Sequence, residues 1–366
     1  MEEKTFDTAI KEGRTMKGMM KAMRLHRVTP NISEGLQLDM VPIPQIGPYD
    51  VLIDVKATGL CGSDIHSIEG LSPRDRYPVT LGHETAGVIC EVGSNVKGFS
   101  VGERVCVNFS ESCGQCPLCR MGKPSICLNP RRLGRSEEGA YAEYVKVSAS
   151  TLVKLPDNVP FDQAAACTDA VATPFHAIDK LAQLRLGDSI AIFGLGGLGV
   201  NAILISKLYG AGLIIGVDVD NHICARAREF GADVVINSTN KDPVSEIRKL
   251  TGIGVDISMD VVGLPAVQEQ SINCLRPGGK ALMLGLGEKP VKLPSVGIFV
   301  RQEWQVIGSY AFETAEIEKI VKLVSMGKLN LSNIISSHIS LEEVSKGLQD
   351  LHDKRGYPIR IVAMQE

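Results

Sequence analysis

The stretch Ser189-Ile190-Ala191-Ile192-Phe193-Gly194-Leu195-Gly196-Gly197-Leu198-Gly199 decides the fold. A short apolar run enters a glycine turn, and a helix-length segment, Val200 to Tyr209, leaves it. Gly194, Gly196 and Gly199 fit GxGxxG, with Gly197 between them. The first glycine permits a tight turn, the second lets a pyrophosphate approach the backbone, and the third allows close helix–strand packing. Phosphates then meet the amide-rich helix N-terminus. The same glycines suit a turn with nothing bound, so the surroundings matter. Downstream, Leu213 to Val217, Val234 to Asn237, Ile257 to Val261 and Lys280 to Leu284 read as further strands separated by helix-length segments. That alternation predicts βαβ units and a doubly wound parallel sheet over 171–311. The second strand ends in Asp218, where an acid can hold both ribose hydroxyls of NAD and repel the 2′-phosphate of NADP. Asn221 and His222 follow with no immediate arginine, which favours NAD.

Upstream, over 23–170, the pattern is different. Short runs such as Val51 to Val55, Ala86 to Cys90 and Arg104 to Val107 are punctuated by Gly, Pro, Asn and Asp. They predict an antiparallel, barrel-like β domain. After residue 312 come two helical segments, Thr314 to Met326 and Leu341 to Lys354, and a last strand, Ile359 to Met364. The charged residues 1–22 match no element and read as an N-terminal extension.

The 366 residues suggest about two domains. Lysines and arginines number 39 against 42 acids, a net charge of −3 with no long basic run, which argues against nucleic acid as a partner. With 44% hydrophobic and 22% charged residues the chain is far from disorder. No apolar stretch approaches the ~20 residues of a membrane helix. The charged N-terminus is no secretory signal, so a reducing cytoplasm is expected and the ten cysteines are read as metal ligands or buried thiols.

Cys113, Cys116, Cys119 and Cys127 share one glycine-containing loop. Four thiolates close a tetrahedral zinc shell with no open position, a structural site. An iron–sulfur cluster suits CxxCxxC as well, but the longer last gap fits zinc better.

Cys61 and His83 lie in Gly59-Leu60-Cys61-Gly62-Ser63-Asp64-Ile65-His66 and Gly82-His83-Glu84, both after strand-like runs. Gly82-His83-Glu84 with Gly87, Gly93 and Val96, the four-cysteine loop and the glycine turn after Phe193 occur together and in order. On these motifs the chain from about 23 to 366 resembles the zinc-dependent medium-chain alcohol/polyol dehydrogenases. The resemblance implies a GroES-like antiparallel β-barrel catalytic domain (23–170, rejoined by 312–366) and a Rossmann domain (171–311).

It also implies two zinc ions per chain and NAD as cofactors. Cys61 and His83 would be ligands of a catalytic zinc. Two candidates for the third ligand lie before Thr173, Cys167 and Asp169; counting back from Thr173 selects Asp169 and leaves Cys167 to packing. Glu84 would adjoin the metal or ligate it transiently. Three protein ligands leave one position for substrate oxygen, where a Lewis acid favours the alkoxide. Ser63 and His66 align with the family's proton relay, although His66 also suits a surface histidine. Phe109 would wall the substrate pocket, and Leu284-Gly285-Leu286 would face the nicotinamide. Arg360 falls where some members contact a cofactor phosphate, and equally suits a solvated arginine.

Gly62 stands where liver-type alcohol dehydrogenases carry a basic residue. That departure, with an Asp ligand, leans toward secondary alcohols or polyols. The implied activity is hydride transfer between such an alcohol and NAD, by a homo-oligomer, tetramer over dimer. The alternatives are an amino-alcohol or hydroxyacyl-CoA dehydrogenase and, less favoured, a non-catalytic nucleotide- or zinc-binding module or a zinc-free quinone reductase.

Overall fold

The computed structural model describes residues 18–365 except 73 and 75. Two compact units emerge. The first takes the described residues up to Asp169 together with Ile317–Ser325 and those from Leu331 onward; the second takes Ala170–Glu316 and Met326–Asn330.

The first unit contains β1 (Met19–Leu25), β2 (Leu36–Pro42), β3 (Asp50–Gly59), β4 (Val79–Thr80), β5 (Glu84–Val92), β6 (Arg104–Val107), β7 (Ser110–Glu111), β8 (Arg131–Arg132), β9 (Tyr144–Ser148), β10 (Leu152–Lys154) and, late in the chain, β17 (Ile335–Ile339) and β18 (Arg360–Met364). Its main sheet runs β10-β6-β5-β3-β18-β17, with β9 also on β3; β2-β1-β4 form a second sheet and β7-β8 a third. Every pair in the main sheet is antiparallel except β17–β18. β-Branched and aliphatic residues at alternate positions turn inward, so Val51, Ile53 and Val55 of β3 join Ile89, Val105, Val107, Val145 and Val147 in one core. Leu60, Ile65, Ile68, Leu81 and Tyr141 belong to a second core, closed by Leu341, Val344, Leu348 and Ile361 from the end of the chain. The segment rejoins this unit because β18 completes β3 through Val362–Gly59 and Ala363–Thr58.

One boundary differs from the sequence reading. Residues 19–22, read as extension, belong to β1, with Met20 and Ala22 buried. A strand tolerates charge on alternate residues, so Lys21 between them did not signal a break but an outward face. The rest of the expected extension, residues 1–17, lies outside the described residues.

The second unit is a six-stranded sheet of β11 (Ser189–Phe193), β12 (Leu213–Asp218), β13 (Val234–Asn237), β14 (Val255–Asp260), β15 (Leu275–Met283) and β16 (Gln305–Gly308). The order is β13-β12-β11-β14-β15-β16 and all pairs are parallel. Chain direction reverses its progress across the sheet at β11, the switch point at whose carboxyl side such sheets bind ligands. Phe193, Val217, Ile236, Ile247, Val255 and Trp304 are among the residues of its core. Among the described residues no helix is long and apolar enough to cross a membrane.

Candidate active site and metal centres

Four donors from distant stretches converge in the first unit. Cys61 precedes the helix Gly62–Ile68, His83 and Glu84 lie at the start of β5, and Asp169 sits on the π-helical turn Cys167–Val171. One ligand atom of each lies within 4.8 Å of all the others. Asp169 Oδ2 is 3.3 Å from Cys61 Sγ and 3.4 Å from His83 Nε2. Tetrahedral zinc with Zn–S about 2.3 Å and Zn–N or Zn–O about 2.0–2.2 Å places its donors about 3.3–3.6 Å apart, so these spacings fit. Thiolate, imidazole and carboxylate together are a zinc donor set.

The electrostatics agree. Burial, with Asp169 nearby, pushes the Cys61 thiol up. Burial likewise lifts the Glu84 carboxyl to about 7 against the opposing Arg360. Burial acts to lower His83, but Asp64, Asp169 and Cys61 outweigh it and hold the imidazole well above its ordinary range. Acidic groups that resist ionisation together are what a divalent cation would relieve. Glu84 Oε2 is buried without a hydrogen-bond partner, and a Cβ at Gly59 would stand 2.3 Å from it, so the absence of a side chain there makes the cradle for this oxygen.

Cys167 is fully buried, its thiol pushed up by burial, and it is not one of the four clustered donors. Two residues apart on a helical turn point to opposite sides, so only one of Cys167 and Asp169 can reach the cluster. Ser63 Oγ stands 3.3 Å from His83 Nε2. His66 is half-buried on the same short helix, one turn further on. The Phe109 ring meets His83 edge-on with centroids 5.5 Å apart.

Arg360 is not the solvated arginine that was one of its two sequence readings. It is 4% exposed, and its Nη1 donates to Glu84 Oε1 at 2.9 Å and to the Leu60 carbonyl at 2.6 Å. The register of β18 beside β3 turns this arginine inward, against a buried acid. Two residues of the site were not singled out from sequence. Asp64 Oδ1 lies 3.4 Å from His83 Nδ1, and Tyr141 Oη donates to Asp64 Oδ2 at 2.7 Å. Asp64 stood inside the quoted Gly-Ser-Asp motif, but nothing local reveals that it faces His83.

The four-cysteine loop closes on itself. Cys116 Sγ is 3.5 Å from Cys119 Sγ and 3.9 Å from Cys127 Sγ, and all four sulfurs lie within 4.8 Å of one another. A zinc tetrathiolate has edges of about 3.8 Å. Backbone N–H groups of Cys113, Cys116, Cys119 and Asn129 point at the sulfurs. Donation from Leu128 and Cys119 lowers the Cys116 thiol to about 6, toward the thiolate a metal needs.

In the second unit the glycine turn joins β11 to the helix Gly197–Leu208. A Cβ at Gly199 would meet the Gly194 carbonyl at 1.9 Å, so helix and turn pack closely only with glycine there. Around Gly196 the space is open. Asp218 Oδ2 accepts from Leu195 N at 2.8 Å and Oδ1 from Val219 N at 2.7 Å, which fixes the carboxylate at the rim of the turn. Leu284 is buried after β15, and Leu286 is exposed.

One unit is a parallel sheet with an open glycine turn, and the other gathers S, N and O donors; each by itself suits a nicotinamide- and metal-dependent oxidoreductase. Comparisons with known proteins narrow the class. Residues 47–157 match the alcohol dehydrogenase GroES-like domain, and residues 197–326 match the zinc-binding dehydrogenase family. The chain is 36% identical to an NAD-dependent alcohol dehydrogenase of Sulfurisphaera tokodaii, over 91% of this chain and 97% of that one. It is 33% identical to a sorbitol dehydrogenase of Halalkalibacterium halodurans, over 88% and 93%. The solved alcohol dehydrogenase TADH from Thermus sp. ATN1 superposes with a TM-score of 0.87 at 28% identity, covering 94% and 99%. The chain belongs to the zinc-dependent medium-chain alcohol/polyol dehydrogenases. It is an oxidoreductase of the alcohol group that uses zinc and NAD.

Proposed function

We propose that the protein interconverts a secondary alcohol or polyol and its carbonyl partner, with Cys61, His83 and Asp169 as catalytic-zinc ligands and Cys113, Cys116, Cys119 and Cys127 as structural-zinc ligands. The observation that carries the reading is the convergence of Cys61, His83 and Asp169, with Glu84 behind them, at metal-ligand spacing. When bound, zinc supplies Lewis acidity toward the substrate oxygen and NAD supplies the hydride acceptor. Ser63 Oγ, held beside His83, takes the hydroxyl proton and gives its own to His66. Phe109 shields the His83 side from water. Glu84, tied to Arg360, adjusts the negative charge around the three ligands.

Gly194, Gly196, Gly197 and Gly199 cradle the pyrophosphate, Asp218 takes the ribose hydroxyls, and Leu284 and Leu286 border the nicotinamide. The domain limits of the sequence reading (23–170 and 312–366; 171–311) are kept as functional domains. Reduced cysteines and family analogy support a cytoplasmic homotetramer.

The test is NADH formation by the two-zinc enzyme across secondary alcohols, polyols, primary alcohols, amino alcohols and hydroxyacyl thioesters. The largest kcat/KM should fall among secondary alcohols or polyols. Preference for an amino alcohol or thioester would reassign the substrate, and no turnover with any would end the reading. Asp218→Ser should raise the NADP-to-NAD ratio of kcat/KM by ~10²-fold, because a like-charge clash of several kcal/mol is removed. An unchanged ratio would place the ribose contact elsewhere.

A further inference from the structure

The catalytic-metal reading leaves one buried phenol unexplained. Tyr141 is 0% exposed and lies in the core of the first unit, where a phenylalanine would fill the same space without burying a hydroxyl. A buried hydroxyl is costly unless it is hydrogen-bonded. Here it donates at 2.7 Å to Asp64 Oδ2, with the Gly59 carbonyl at 3.4 Å. Asp64, 1% exposed, reaches both ends of the donor set: Oδ1 is 3.4 Å from His83 Nδ1, and Oδ2 accepts from the Cys61 backbone N–H at 3.4 Å.

The ring is placed as purposefully as the hydroxyl. Gly82, the residue before His83, has φ +90°, and a Cβ there would stand 2.7 Å from Tyr141 Cδ1. The phenol therefore occupies the side-chain space of Gly82. Tyr141 N donates to the Leu81 carbonyl at 2.9 Å, and Ala140 N to the Gly82 carbonyl at 2.9 Å, pinning the segment that delivers His83.

We propose that Tyr141 is a positioning residue for the metal site: its hydroxyl locks Asp64, and Asp64 in turn fixes the ring of His83 and the backbone of Cys61. The inference rests on the assignment of Cys61 and His83 as ligands. A hydrogen bond to an ionised acceptor is shorter and about twice as strong as a neutral one, so the contact suits an anionic Asp64. Burial, with Asp64 alongside, keeps the phenol protonated and therefore a donor. A carboxylate at Nδ1 holds the imidazole with Nε2 toward Asp169, the orientation in which such partners raise metal affinity. Without the phenol, the hydrogen bond left to Oδ2 among the described residues is the long one from Cys61, and the carboxylate is free to turn.

Tyr141→Phe keeps the ring over Gly82 and removes only the donor. In the zinc-loaded full chain, zinc release to a chromogenic chelator should be biphasic, one phase for each site. Tyr141→Phe should speed release from the Cys61–His83–Asp169 site about tenfold, the lower end of what outer partners of ligands contribute. The tetrathiolate phase should not change. The absorption bands of Co²⁺ substituted at the first site should shift, a signature that a role confined to core packing would leave alone. Asp64→Asn should loosen the same ion at least as much, and adding Tyr141→Phe to it should have no further effect, because the phenol acts through Asp64. Wild-type release in Tyr141→Phe or in Asp64→Asn, or a full tenfold effect of Tyr141→Phe in the Asp64→Asn background, would overturn the proposal. Should Tyr141→Phe fail to fold, the Asp64→Asn release rate decides. A wild-type chain that holds only the tetrathiolate ion would instead remove the catalytic-metal assignment, and this inference with it.

Discussion

Asp169→Asn should abolish turnover and lower the zinc content from two ions per chain to one. The substitution keeps shape and volume but exchanges an anionic oxygen for a neutral amide in a buried site, where charge is what attracts the cation. Asp169 Oδ2 is the atom that meets both Cys61 Sγ and His83 Nε2, so its loss opens two edges of the donor polyhedron together. Lewis-acid stabilisation is worth several kcal/mol; at about 4 kcal/mol, kcat falls on the order of 10³-fold. Cys167→Ser should keep both ions and near-normal kcat, at a stability cost of about 1–2 kcal/mol for a hydroxyl in an apolar position. Metal analysis and NADH formation on the two variants check the assignment. The opposite pattern would transfer the ligand role to Cys167.

Arg360→Met should produce the largest loss of stability. Glu84 is 0% exposed, and its Oε2 has no hydrogen-bond partner. Its buried charge is balanced by the Arg360 guanidinium alone among side chains it hydrogen-bonds in the described residues. Breaking such a pair by removing one partner costs about 3–5 kcal/mol where the other charge stays buried; Glu84, already lifted to about 7 by burial, sheds part of that cost by taking up a proton. Urea unfolding with zinc present measures the loss. The double change Arg360→Met with Glu84→Gln should recover a large part of it, since no uncompensated charge then remains. A loss under about 1 kcal/mol for Arg360→Met would mean that water reaches Glu84 and that the pair is not a structural unit.

Much of the architecture was legible because it rests on local rules. Ser189–Phe193 reads as a strand and Gly194–Gly199 as a turn from their own composition, and the structure puts β11 at Ser189–Phe193. β13 occupies Val234–Asn237, the limits given by its apolar run. The parallel sheet reports that helices cover both faces, which leaves strands continuously apolar and easy to recognise. β1 was less legible, since one lysine among apolar residues is equally compatible with a charged tail and a strand with one face outward. The four cysteines were legible for a further reason: their donors are neighbours in the chain, and geometry follows from spacing.

The sequence by itself determined the two architectures, the tetrathiolate loop, the glycine turn and the acid at the end of the second strand, because each depends on residues close in the chain. Tertiary structure alone decided that Arg360 pairs with Glu84 and that Asp64 and Tyr141 stand behind Cys61 and His83, and it brings Asp169, already selected over Cys167 by the family resemblance, beside both. Those are contacts between residues far apart in sequence, and their direction depends on a π-helical turn, a strand register and a core. None of these leaves a local pattern in the chain, because burial selects a side chain's partner only after the backbone has brought the two together.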